Sequence, residues 1–269
     1  MFNLKISLNL RNENFMGAAE TRREKIVRAV TQAEFLSVVE LAEMFDVTTA
    51  TIRTDLNTLE DEHLVIRSHG GAIPAAARVV NLRDDEKAKN NRDLKKRIAV
   101  AAAALVEPND SITIASGSTM NVFAETISPA EKLNILTPSL RIATILVDNP
   151  LVSLFFLGGY VSNYTYSAYG PYASDGLDIF HTDKLFFGVE GFSAEGGLSC
   201  GFLEEADLTK KMIKSATKII VLADSTKYRR RGFCSICALK DIDVLVTDSG
   251  LSEKARREIT EQGVELIIA

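Results

Sequence analysis

Residues 37–67 read SVVELAEMFDVTTATIRTDLNTLEDEHLVIR, and the spacing of their apolar residues decides the fold of the first part of the chain. Residues 38–45 predict a helix whose apolar side is Val39, Leu41, Ala42 and Phe45. Phe45-Asp46-Val47 predicts a tight turn with Asp46 in a left-handed conformation, which Asp tolerates better than most side chains. Thr48 is placed to cap a second helix over residues 49–62, its hydroxyl accepting an orphaned backbone N–H. In that helix Val47, Ile52, Leu56 and Leu59 fall at helical spacing and face the core.

The apolar stripe fixes what lies opposite. Thr49, Ala50, Thr51, Arg53, Thr54, Asn57 and Thr58 are short, neutral or basic, and crowd the N-terminal half of the helix. Threonine and asparagine are weak helix formers, so their density here needs a reason. A helix that enters the major groove of duplex DNA supplies one. Short side chains let the backbone approach, hydroxyls bond phosphates or bases, methyls touch thymine, and the helix N-terminus favours a phosphate. An ordinary helical hairpin with a polar solvent face has the same periodicity. What tips the reading is the next segment, a strand around Leu64–Ile66, a basic Arg67, and Ser68-His69-Gly70-Gly71, the wing of a winged helix. Thr48, Thr49, Ala50, Thr51, Arg53, Thr54, Asn57, Arg67 and His69 are therefore the candidate DNA-binding residues.

The residues 49–73, TATIRTDLNTLEDEHLVIRSHGGAI, resemble the N-terminal domain of the DeoR family of bacterial transcription regulators. The resemblance also takes in Arg22 to Ile26, the V-E-L-A of residues 39–42, the T-I-R…D-L…L-E of residues 51–60, and Arg67 ahead of H-G-G-A at 69–72. The family often carries a second Arg after T-I-R; here Thr54 stands there.

At 269 residues with 46% hydrophobic composition, the chain holds one small and one medium globular domain. A net charge of −5 makes no case for nucleic acid, and residues 37–67 hold more acids than bases. Attraction to DNA then depends on local placement of Arg22, Arg23, Lys25, Arg28, Arg53 and Arg67, with Asp55, Glu60, Asp61 and Glu62 turned away. No apolar run is long enough to span a bilayer, and residues 1–15 alternate rather than form a signal-peptide block, so a cytoplasmic chain with reduced cysteines and no membrane partner is expected. Cys234-x-x-Cys237 lacks an evident second ligand pair, which favours two small residues buried near a strand over a metal or redox site; no metal and no cofactor is expected.

Taken in order, residues 1–19 read as a disordered or over-long lead, 20–76 as the winged helix-turn-helix domain with a first helix at 20–31, and 77–91 as a polar linker. Residues 92–269 read as an α/β effector-binding and oligomerisation domain. Strands are expected at 111–115, 134–137, 152–157, 184–188, 218–223, 244–247 and 264–268, and helices at 93–106, 119–127, 140–148, 173–180, 204–216 and 252–262. That alternation predicts a mostly parallel sheet covered on both faces, with ligands bound beyond the carboxyl ends of its strands. Ala115-Ser116-Gly117-Ser118-Thr119 follows one strand and opens a helix, a form that suits a phosphate but also occurs in ordinary strand–helix turns. Gly158-Gly159 and Gly188-Val189-Glu190-Gly191 are further glycine-rich strand ends. Lys227, in Asp224-Ser225-Thr226-Lys227, either reaches an anion in the same cleft or is a solvated surface lysine.

The DeoR resemblance extends to this half, through K-K-R-I-A (95–99), S-G-S-T (116–119), L-G-G (157–159), G-V-E-G-F (188–192), Gly197-Leu198 with Glu205-Ala206 and Met212-Ile213, and L-A-D-S-T-K (222–227). It implies an effector domain related in fold to ribose-5-phosphate isomerase that binds a phosphorylated sugar. Ser116, Gly117, Ser118 and Thr119 would hold the phosphate, and Glu205 and Lys227 would line the sugar end. Thr137, Ser139, Gly158, Gly159, Glu190 and Lys210 complete the candidate set. Ala115 stands where the family usually has Asp, Pro138 replaces the Asn of a T-N-S loop, and Thr209 replaces a Lys while Lys210 keeps the next basic position.

The resemblance therefore implies a sequence-specific transcription regulator, a repressor of a carbohydrate-use operon relieved by a phosphorylated sugar, acting as a homodimer or homotetramer on a double-stranded DNA operator. Nothing in the residues separates repression from activation. The rival reading is an enzyme, a sugar-phosphate isomerase with a DNA-binding appendage, in which Glu205 or Glu190 serves as general base.

Overall fold

A computed structural model describes residues 18–33, 35–61, 64–68, 70–74, 87–88 and 90–269. The chain divides into two compact units, 1–78 and 79–269.

The first unit packs α1 (Ala18–Ala33), α2 (Val38–Met44) and α3 (Thr49–Asp61) against a small antiparallel sheet of β1 (Leu36–Ser37), β2 (Val65–Ser68) and β3 (Gly71–Pro74), in the order β1-β3-β2. Its core is Ile26, Val30, Leu36, Val38, Leu41, Ala42, Ile52, Leu56, Leu59, Val65 and Ala72. A capping box opens α2. Glu40 N donates to Ser37 Oγ at 3.1 Å while Ser37 N donates to Glu40 Oε2 at 2.8 Å, satisfying two end donors reciprocally. The turn forms as its residues dictate, with Asp46 at φ 50° and Thr51 N donating to Thr48 Oγ1 at 3.1 Å. Val39 departs from expectation: it is 56% exposed, and Val38 takes the core position. The capping box sets the phase of α2, and Val38 rather than Val39 then shares a side with Leu41 and Ala42.

In the second unit, among the described residues, a seven-stranded parallel sheet is ordered β15-β14-β12-β9-β4-β5-β6. Its strands are β4 (Ser111–Ile114), β5 (Leu133–Thr137), β6 (Val152–Phe156), β9 (Thr182–Gly188), β12 (Ala216–Leu222), β14 (Val244–Thr247) and β15 (Glu265–Ile268). Strand alternation sends successive residues to opposite faces. Phe186, Ile220, Leu222, Val244 and Val246 join one core with α4 (Arg92–Ala103), α5 (Ser118–Thr126) and α6 (Leu140–Leu146). Leu185, Phe187, Ile219, Val221 and Leu245 join the other with α7 (Pro171–Gly176), α8 (Leu203–Ser215) and α9 (Glu253–Thr260). Burial on both faces explains why these strands read as near-continuous apolar runs.

Two features lie outside the expected plan. A short hairpin pairs β7 (Tyr160–Val161) with β8 (Ala168–Tyr169), and a small antiparallel sheet is ordered β10-β11-β13 from Gly191–Ser193, Gly197–Cys200 and Cys234–Cys237. Cys234 and Cys237 thus lie on a strand, half-buried, and burial pushes the Cys237 thiol up to about 12. Among the described residues no group of three or more His, Cys, Asp or Glu stands together to hold a metal, and no helix is long and apolar enough to cross a membrane.

Candidate functional sites on the helix-turn-helix and at the sheet's switch point

Helix α3 turns Ile52, Leu56 and Leu59 inward and leaves Ala50, Arg53, Thr54 and Asn57 exposed at i, i+3, i+4 and i+7 spacing. Thr48 is exposed; Thr49 and Thr51 are half-buried. Several hydroxyls are committed within the helix. Thr48 and Thr51 share a hydrogen bond at 2.9 Å, and Thr54 and Thr58 donate to the carbonyls of Ala50 and Thr54 at 3.2 Å. Arg67, exposed on β2, donates a guanidinium N–H to Asn57 Oδ1 and its backbone N–H to Glu60 Oε1 at 2.9 Å, which fixes the wing against α3. His69 lies outside the described residues.

One expectation about charge changes here. Arg22 is no free cation for phosphate: its Nε and Nη2 donate to Asp55 at 2.7 and 3.1 Å. Asp55, on α3, is 5% exposed. The Asp55 side-chain hydrogen bond raises the Arg22 pKa further above its usual value. This pair ties α1 to the helix that carries Arg53.

In the larger unit the chain runs from β4 outward through β5 to β6, then returns to place β9 on the other side of β4. The order therefore reverses between β4 and β9, and beyond the carboxyl ends at such a reversal is the usual ligand position in open parallel sheets. The loop Ala115–Gly117 leaves β4 there and leads into α5, with Gly117 at φ 133°, a conformation closed to most side chains. Ser116 and Ser118 are buried. Thr137 is also buried, its hydroxyl donating to Ile114 O at 2.7 Å and accepting from Ser139 N at 3.1 Å, and Ser139 caps α6. These two residues bind neighbouring loops together. Gly159 has a reason inside the fold: a Cβ there would lie 2.2 Å from Tyr169 O, whereas one at Gly158 would meet nothing within 4 Å.

On the β9 side, Glu190 is buried and flanked by two ammonium groups, Lys227 at 3.2 Å and Lys87. Burial pushes the Glu190 carboxyl up, but the charges of Lys227 and Lys87 outweigh it and hold the group below the usual carboxylate range. Lys227 is thus not a freely solvated lysine; it follows Asp224, whose carboxylate accepts from Thr226 N at 3.1 Å. Glu205 opens α8 and is half-buried; after burial itself, its charge is the next cause raising the Tyr169 phenol and the Cys200 thiol. Lys210 stays outside this group, exposed on α8 and paired with Asp207 at 3.8 Å. Lys87, Asn91 and Asp224 were not among the expected site residues. A lysine and an asparagine in a polar run carry no sequence signal, and only packing brings them here.

Comparison with known proteins bears on both regions. The family described as DeoR-like helix-turn-helix domain matches residues 22–76, and the DeoR C terminal sensor domain matches residues 90–249. An HTH-type transcriptional regulator, YulB of Bacillus subtilis strain 168, is 34% identical over 245 residues, 91% of this chain and 95% of that protein. The chain belongs to the DeoR family of transcriptional regulators. This DeoR-family chain is also 30% identical over 249 residues, 92% of its length and 93% of the other, to a putative aga operon transcriptional repressor of Escherichia coli O157:H7. Among solved structures, ribose 5-phosphate isomerase A from Methanocaldococcus jannaschii matches 52% of this chain and 56% of its own at 19% identity and a TM-score of 0.39, too slight a likeness to transfer chemistry.

Proposed function

We propose that this DeoR-family regulator is a repressor of carbohydrate-use genes that releases its DNA operator when a phosphorylated sugar binds beyond the carboxyl ends of β4 and β9. The observation that carries the DNA-binding part is α3, whose apolar stripe is fully buried while Ala50, Arg53, Thr54 and Asn57 stand exposed with Arg67 beside them. Thr48, Thr49, Thr51 and His69 complete the DNA-facing set. One winged helix covers too little duplex for tight selective binding, so a homodimer or homotetramer engages repeated half-sites.

The effector part rests on Ser116, Gly117, Ser118 and Thr119 at the N-terminus of α5, with Lys227 and Glu190 across the switch point. Glu205 and the Thr137–Ser139 loop border the same strand ends. Residues 92–269 serve as effector-binding and oligomerisation domain, and residues 77–91 as the connection through which occupancy is felt. Repression fits the Escherichia coli relative, a putative aga operon transcriptional repressor. In the isomerase alternative Glu205 or Glu190 is the general base, and Glu190 is already held between Lys227 and Lys87. Incubation with pentose and hexose phosphates tests that alternative directly; product formation would sink the purely regulatory reading. The regulatory reading itself is tested by electrophoretic mobility shift on DNA upstream of the neighbouring genes, with and without each phosphorylated sugar.

A further inference from the structure

Lys87 precedes α4, in the part of the sequence between the DNA-binding and sensor domains. Two sets of contacts fasten this approach to the loops at Glu190 and Asp224, and a third folds it onto α4. Lys87 Nζ pairs with the buried Glu190. Asn91 Nδ2 donates to Asp224 Oδ1 and Thr226 Oγ1, both at 3.3 Å. Lys95, 4% exposed on α4, donates to the carbonyls of Lys87 and Asn90 at 2.5 and 2.7 Å and so folds the approach back onto the helix. Asn91, at φ 54°, forms the corner. Glu190 therefore joins two parts of the chain, holding Lys87 from the approach and Lys227 from the D-S-T-K loop.

A buried carboxylate demands a nearby cation, and the demand on each partner rises when the other is withdrawn. We propose, resting on the effector reading above, that Lys87 and residues 90–95 form a clasp on the effector site and that the Lys87–Glu190 pair is its catch. An anion that draws Lys227 toward the Ser116–Thr119 loop leaves Glu190 more dependent on Lys87. The clasp tightens, and Lys87 and residues 90–95 are held more firmly on the sensor domain. Lys87 is a positioning residue in this device: it reports occupancy without having to touch the ligand.

Amide hydrogen exchange read by mass spectrometry on the full chain tests this. Lys87→Gln and Glu190→Gln each speed exchange in peptides covering residues 87–97 by about tenfold, the loss of one charged hydrogen-bonded tie. Lys87→Arg restores the wild-type rate. Lys227→Met, which withdraws the second cation without any ligand, slows it. Inorganic phosphate and a panel of phosphorylated sugars serve as probes, with melting temperature as an independent measure of binding. A probe that binds slows exchange at 87–97 in the wild type but not in Lys87→Gln. Equal rates in Lys87→Gln and the wild type overturn the proposal without reference to any ligand. So does faster exchange in Lys227→Met, or a probe that slows both proteins alike. If the ligand-free variants behave as described but no probe changes the wild type's melting temperature or exchange, the clasp stands and the effector reading fails.

Discussion

Arg53 and Asp55 lie two positions apart on α3, yet the fold uses them oppositely. Arg53 is exposed, whereas Asp55 is buried and holds Arg22. Replacing Arg53 with Ala should leave the melting temperature nearly unchanged and weaken operator binding by about 1–3 kcal/mol, read by mobility-shift titration. Replacing Asp55 with Ala should do the reverse at first order. It strands the Arg22 guanidinium and costs about 1–3 kcal/mol of folding stability, read by urea denaturation, with DNA affinity falling only as the folded fraction falls. Equal stability loss in the two variants would contradict this division of roles.

Elements depend on a few backbone positions that accept no substitute. Gly159→Ala would set a Cβ 2.2 Å from Tyr169 O, against backbone that cannot swing aside, so the β7–β8 hairpin should detach and the melting temperature fall. Gly158→Ala next to it meets open space and should be nearly silent in the same thermal melt. How much of this the sequence disclosed varied with the range of the forces involved. The turn at Asp46, the Thr48 cap and the Ile52-Leu56-Leu59 stripe were legible, because each depends on residues within a turn or two. The alternating units of the large sheet were legible for the same reason. Val39 was misplaced because two valines in succession fit either phase, although Ser37 and Glu40, spaced as a capping box, were there to settle it. The β10-β11-β13 sheet escaped notice because it joins strands far apart in sequence, among them Gly197–Cys200 and Cys234–Cys237, and their composition is not that of strands. Lys87 was hidden by its neighbours, since a lysine in a polar run looks solvated until a buried Glu190 is placed beside it.

Over the whole molecule, charge links folding to pH. The Glu190, Asp248 and Glu258 carboxyls all lie below their ordinary values; in each, burial opposes the shift. The lysine charges at Glu190, the backbone hydrogen bonds at Asp248, and the Tyr228 and Arg229 contacts at Glu258 overcome it. Groups depressed in the folded state contribute stability that is present in full above their unfolded values, about 4, and is lost as pH falls through the folded ones. The sensor domain should therefore keep its stability from neutral pH to about 5 and lose it steeply below about 4. Glu190→Gln should flatten that acid limb in a series of urea melts; an unaltered limb would show that Glu190 carries no such linkage.

In the proposed function one chain joins a DNA-gripping helix to a site for a phosphorylated sugar. The most direct test is fluorescence anisotropy of operator DNA titrated with the full chain, alone and with each of a panel of phosphorylated sugars, for the wild type and Ser118→Ala. The expected result is tight binding by both proteins, weakened roughly 5- to 150-fold by at least one sugar phosphate in the wild type and far less in Ser118→Ala. An affinity that no phosphorylated sugar changes, or that changes equally in both proteins, would contradict the account.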